Sequence, residues 1–94
     1  MATFIPINDI LTTSQALTPA ATATITSAEQ TFTVTGLTTS MNVLSVKPAV
    51  AQTAGLGLAG ARVSATDTLA LTFVNPTAGS LTAVASTYTI VVQT

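Results

Sequence analysis

The sequence predicts an all-β fold, a small antiparallel β-sandwich of six to seven strands, immunoglobulin-like or jelly-roll-like. Three observations carry that expectation. Apolar and small polar residues alternate with a period of two along several stretches, as strands with one buried and one solvated face require. Clusters of Gly, Pro, Asn and Ser cut the chain at short intervals, as in hairpin-rich domains. Nowhere do apolar residues recur at the 3.6-residue spacing of an amphipathic helix, which argues against alternating strands and helices around a parallel sheet. The 94 residues suffice for one domain, and residues 1–20 divide from it as an N-terminal arm or edge segment, leaving residues 21–94 as the sandwich.

The clearest pattern lies in residues 60–76. Ala61, Val63 and Ala65 share one strand face and Arg62 and Ser64 the other; after a turn, Leu69, Leu71 and Phe73 point inward. Inward residues must oppose inward residues, so the expected hairpin sets Ala65 against Leu69 and Val63 against Leu71, with Thr66-Asp67-Thr68 as its loop. Asp67 tolerates the left-handed region better than Thr and is expected there. The same register puts Arg62 opposite Thr72 on the outer face, with no carboxylate across from it in the hairpin.

In chain order, Phe4, Ile5, Ile7, Ile10 and Leu11 make residues 1–20 apolar without sustained periodicity. That pattern suits either a first edge strand or a segment laid on a neighbouring subunit. Residues 21–26 alternate small or apolar residues (Ala21, Ala23, Ile25) with Thr and predict a strand. Ser27-Ala28-Glu29-Gln30 is expected to turn, with Glu29 solvated, into a strand over residues 31–35 that buries Phe32 and Val34 and ends at Gly36. A polar loop over residues 37–42 leads to a strand over residues 43–47, stopped by Pro48 because proline cannot donate to a ladder. Residues 48–60 form an apolar loop whose Val50, Leu56 and Leu58 either cap an open end of the sandwich or meet a partner. Asn75-Pro76-Thr77-Ala78-Gly79 is a turn, and Pro76 voids it as a glycosylation sequon. Residues 81–86 have no firm period. Residues 87–93 close the chain with Tyr88, Ile90 and Val92 on one face.

Composition limits the function classes. Only 5% of residues are charged, against an average near 25%, so little electrostatic repulsion opposes self-association and the surface suits permanent assembly. A chain of this size buries only about 60–65% of its unfolded surface, which makes help from neighbouring subunits valuable. Lys47 and Arg62 are the only basic side chains, too few for a phosphate-binding patch, so neither nucleic acid nor an anionic membrane is expected as partner. Residues 10–28 and 68–94 are uncharged and long enough to cross a bilayer, yet Thr, Ser, Gln and Pro punctuate them with a period of two, against a membrane helix. The first residues lack the cationic region of a secretory signal, so cytosolic synthesis is expected. Without Cys there is no disulfide or thiolate metal site.

Candidate chemistry is sparse. His and Cys, the usual general base and thiol nucleophile, are absent. Asp9, Glu29 and Asp67 fall in separate termini or turns and make neither a glycosidase pair nor a calcium loop. Ser45 and Lys47 share a strand face, but a Ser–Lys dyad needs a desolvated lysine and Lys47 sits at a strand end. Gly55-Leu56-Gly57-Leu58-Ala59-Gly60 matches G-x-G-x-x-G in letters, yet a strand rather than a helix follows, and Asn75 stands where the acid belongs. No catalytic activity, cofactor, metal or small-molecule substrate is expected. Arg62, a lone outer-face guanidinium, is either an anchor for a partner's carboxylate or carbonyls or an edge charge against strand addition.

The runs Glu29-Gln30-Thr31-Phe32-Thr33-Val34-Thr35-Gly36-Leu37, Gly60-Ala61-Arg62-Val63-Ser64-Ala65, Leu69-Ala70-Leu71-Thr72-Phe73-Val74-Asn75-Pro76-Thr77-Ala78 and Tyr88-Thr89-Ile90-Val91-Val92 together resemble small virion proteins of tailed bacteriophages. The resemblance covers most of residues 21–92 and rests on structural rather than catalytic motifs. It implies a compact β-domain present in many copies on the capsid surface, often as a trimeric decoration or cement protein, with the major capsid protein and itself as partners. Phe4, Ile5, Ile7, Ile10, Leu11, Val50, Leu56, Leu58 and Arg62 are then the expected contact residues. A neck, tail or fibre component and a carbohydrate-binding adhesion module are the alternatives, the latter disfavoured by the scarcity of aromatic and acidic residues.

Overall fold

A computed structural model describes residues 9–94. The expected contacts Phe4, Ile5 and Ile7 lie outside the described residues. Eight strands follow in order: β1 Ile10–Leu17, β2 Ala21–Thr22, β3 Thr26–Thr33, β4 Asn42–Pro48, β5 Gly57–Ala65, β6 Thr68–Asn75, β7 Leu81–Thr82 and β8 Ser86–Gln93. They form two three-stranded sheets, β1-β8-β4 and β3-β6-β5, plus the short β2-β7 pair, and every pairing is antiparallel. β8 pairs with both β1 and β4, β6 with both β3 and β5, and β2 with β7, while β4 and β5, the edge strands of opposite sheets, lie side by side without a ladder. The arrangement is a small antiparallel β-sandwich, the fold class expected from the sequence.

The central strands are the best patterned in sequence because each has neighbours on both sides and a sheet facing it. In β6, Leu69, Leu71 and Phe73 are fully buried; in β8, Tyr88, Ile90 and Val92 are. Each such side chain contributes about 1.5–3 kcal/mol of burial, and all six belong to one cluster completed by Leu17, Val34, Leu37, Leu56, Val63 and Ala83. Tyr88 also buries a hydroxyl, which donates to the Val84 carbonyl at 2.7 Å and accepts from Gln52 Nε2 at 3.0 Å. Gln52 Oε1 in turn accepts from the backbone of Thr53 and Val84. The β4–β5 connection is thereby tied to the start of β8.

Four local expectations are corrected. Residues 21–26 are not one strand: β2 stops at Thr22, and the chain turns through Ile25, whose φ of 48° is unusual for a β-branched residue. Ser27-Ala28-Glu29-Gln30 is no turn but the middle of β3. Gln30 faces inward there, and its amide both donates to the Ala20 carbonyl and accepts from the Ala20 N–H, each at 2.8 Å. This polar side chain satisfies the backbone of the β1–β2 connection. The apolar loop is shorter than residues 48–60, because β5 already begins at Gly57. Finally, the β5–β6 register lies two residues from the expected one: Val63 opposes Leu69, Ala61 opposes Leu71 and Arg62 opposes Ala70. An irregularity at Ser64 absorbs the difference and turns Ala65 outward, while the slip of two keeps the other side chains on their expected faces.

Asp67 does adopt the left-handed region, with φ 58°. Its carboxylate accepts from Gly36 N–H at 2.7 Å, its carbonyl from Val34 N–H, and its own N–H donates to the Leu37 carbonyl. One turn residue therefore holds the β5–β6 hairpin against the β3–β4 connection.

Candidate interaction surface

Apart from the Glu29–Arg62 pair, the charged side chains are dispersed. Among the described residues no three of His, Cys, Asp and Glu come close enough to hold a metal ion, and no helix is long and apolar enough to cross a membrane. Ser45 and Lys47 are both exposed, so nothing desolvates the lysine. The G-x-G-x-x-G letters fall in the turn before β5 and in β5 itself. Gly55 has φ 86° and stands where a Cβ would come within 3.0 Å of Thr77 Cγ2, so turn conformation and packing account for it.

Arg62 and Glu29 meet across β6. β6 lies between β3 and β5, with Thr72 opposite Glu29 and Ala70 opposite Arg62. The small Ala70 leaves the outer face clear for a fork-to-fork contact: Arg62 Nε and Nη2 donate to the two Glu29 carboxylate oxygens, both at 2.9 Å. The partner was invisible in the hairpin because it comes from a third strand. Arg62 stays 64% exposed at its side chain, so the pair staples the outer face of the sheet rather than filling a pocket.

Hydrogen bonding from Arg62, the largest effect, outweighs desolvation and, with a smaller pull from the Arg62 charge, holds the Glu29 carboxyl below the usual carboxylate range. Since the folded value lies below the unfolded one, the contribution of the pair is present above the unfolded pKa and is lost as pH falls through the folded value. Carboxyl-carbon NMR is expected to show Glu29 titrating at lower pH than an ordinary glutamate, and Arg62→Met is expected to return it to the ordinary range. An unchanged titration in that variant would show that the contact does not persist in solution.

The remaining expected contact residues divide. Ile10 and Leu11 are exposed on β1, at 57% and 45%, and Val50 is exposed in the β4–β5 connection. Leu56 is instead a core residue, because Gly55 in its left-handed turn swings it inward, and Leu58 is half-buried against the same cluster opposite Phe73. Neither presents its whole side chain to a partner. Two exposed apolar residues escaped the sequence reading. Leu44 is at the irregularity in β4, which breaks the inward alternation of Val43 and Val46, and Ile25 is at the positive-φ turn. No local signal marks either, since isoleucine and leucine in β-patterned runs read as inward. Tyr88, the sole tyrosine, is fully buried and offers no sugar-stacking face.

Among the described residues, depressions of two kinds interrupt the surface. One of about 200 Å³ runs along the seam where β4 and β5 lie side by side, between Val43–Val46 and Leu58–Ala61. The other, about 310 Å³, opens beside β1, between Leu11, Thr13, Leu37, Met41 and Val92. Neither is lined by a charged side chain.

These features define a class: a small β-sandwich whose distinctive surface is uncharged strand edge and isolated exposed aliphatic side chains. No known protein family, curated protein or solved structure matches the chain.

Proposed function

We propose that the protein is a structural component of a tailed-bacteriophage virion, a capsid decoration or cement protein that binds the assembled lattice and stabilises it. The observation that carries this reading is the surface. With 5% charged residues, and with Glu29, Arg62 and Asp67 engaged inside the fold, exposed Ile10, Leu11, Ile25, Leu44 and Val50 stand among Thr, Ser and Ala. A surface so poor in charge opposes association with other protein only weakly and lacks the basic groups for nucleic acid. The sequence resemblance to small virion proteins supports the same reading. The mechanism is binding alone. A protein that binds the closed shell and not its separated subunits stabilises the shell by mass action, about 2.7 kcal/mol per site at a free concentration one hundred times Kd.

The test is to purify particles carrying the tagged protein, count its copies against the shell subunit, and measure heat resistance with and without it. A copy number comparable to the shell subunit and loss of heat resistance on omission are expected, with Val50→Asp reducing occupancy. A small fixed set of copies at one vertex or along the tail would point instead to a neck, tail or fibre component. Absence from particles would end the proposal.

A further inference from the structure

The two sheets present four outer strand edges, and three carry features that hinder pairing with another chain. β4 is interrupted at Leu44, and β5 twice, between Leu58 and Gly60 and between Val63 and Ala65; these two edges also lie against each other. β3 carries Glu29 at mid-strand, bound to Arg62. Charges, irregular backbone and covered edges are the devices by which β-proteins keep edges from adding strands. Among the described residues β1 has none of them. Its eight residues, Ile10-Leu11-Thr12-Thr13-Ser14-Gln15-Ala16-Leu17, include no charge, proline or glycine, and its ladder with β8 runs unbroken from Ile10 opposite Gln93 to Leu17 opposite Ser86. Among the described residues no strand pairs with its other side.

The strand is also self-complementary. When two copies of β1 pair antiparallel about a two-fold axis normal to the sheet, side chains of the same face must oppose each other, so opposed residue numbers share parity. Centring the axis on Ser14 sets Leu11 against Leu17 and Thr13 against Gln15 on the inner face, and Thr12 against Ala16 on the outer face. Apolar residues then meet at the ends and polar ones at the centre, and no like charges face each other. The inner-face partner matters because Leu11 is 45% exposed and the depression of about 310 Å³ opens beside it. Strand addition at β1 covers Leu11 at that opening with the end of the second copy's strand, where Leu17 is already packed into its own core at 3% exposure.

We infer that the free edge of β1 is a homodimer interface, in which two copies join their β1 strands antiparallel about Ser14 into one six-stranded sheet, β4-β8-β1-β1-β8-β4. Both sandwiches then lie on the same side of the shared sheet. The inference concerns the isolated protein and stands apart from any role in a virion.

Light scattering of the purified full chain is expected to give twice the 9.4 kDa chain mass. Ser14→Lys and Ser14→Glu each place two like charges at the axis and are expected to leave single chains, whereas mixing the two variants restores the double mass. Because the chain has no cysteine, Ser14→Cys gives an independent measurement: directly opposed residues lie within disulfide reach, so mild oxidation is expected to cross-link this variant and not Ser45→Cys. A single-chain or three-chain mass for the unmodified protein, double mass in both charge variants alone, or cross-linking at Ser45 rather than Ser14 would each overturn the inference.

Discussion

Replacing Asn75 by alanine is expected to destabilise the domain by about 2–4 kcal/mol, because each buried polar group left without a partner costs about 1–3 kcal/mol. Asn75 ends β6 fully buried at one end of the sandwich. Its Nδ2 donates to the carbonyls of Thr22 at 3.0 Å and Gly79 at 2.8 Å, and its Oδ1 accepts from the Thr77 N–H at 3.0 Å and lies 2.6 Å from the Thr77 hydroxyl. One side chain thus closes the turn after β6 and joins it to β2. Deleting it leaves the Thr22 carbonyl only the longer bond from the Ser80 hydroxyl at 3.3 Å and strips the part-buried Thr77 N–H of its acceptor, while exposed Gly79 regains water. For a domain of this size the melting midpoint should fall by roughly 10–25 °C. Asn75→Asp separates hydrogen bonding from volume: it keeps the acceptor for Thr77 but turns oxygens toward two carbonyls, and should be no better than alanine at neutral pH. If Asn75→Asp melts like the unmodified protein, the polar network is not what holds this end.

Phe73→Ala is expected to cost about 3–5 kcal/mol, the range for truncating a buried phenylalanine. Phe73 is fully buried in β6, opposed by Ala28 of β3 on one side and Leu58 of β5 on the other. Ala28 is too small to follow a retreating side chain, so a cavity remains. With total stability on the order of 5–15 kcal/mol for a small domain, this loss is a large share of the whole. Phe73→Leu refills most of the volume and should cost less than about 2 kcal/mol. Urea denaturation distinguishes the outcomes, since lost stability lowers the midpoint while leaving the slope unchanged. A midpoint for Phe73→Ala equal to that of Phe73→Leu would mean the strands close over the gap.

These two residues mark the division between what was legible in the sequence and what was not. Phe73 belongs to an alternation, Leu69-Ala70-Leu71-Thr72-Phe73, whose period of two needs no knowledge of its neighbours. Tyr88, Ile90 and Val92 read equally well, and so did the left-handed Asp67, where the requirement is local to one residue. Asn75 read only as part of a turn cluster. Its partners at Thr22 lie 53 residues away, and no pattern in a polar side chain announces that it will be buried and satisfied.

The candidate surface divides in the same way. Low charge and the apolar residues Ile10, Leu11 and Val50 were visible in the sequence; which of the expected contacts point outward was not, since Leu56 is drawn into the core by a glycine turn.

By itself the sequence determined the fold class, the two central strands and their inward faces, because apolar periodicity on a strand has one physical solution in water. Tertiary structure alone decided the register of the β5–β6 hairpin, the place of Glu29 and Gln30 inside β3, and the exposure of Ile25 and Leu44. Glu29 and Gln30 look like turn residues until Arg62, 33 residues away, and the Ala20 backbone satisfy them. In a chain so rich in Thr and Ala, many alternative pairings bury similar side chains, so local propensity scarcely separates them. Specific polar contacts and backbone irregularities make the choice, and both exist only once distant strands have met.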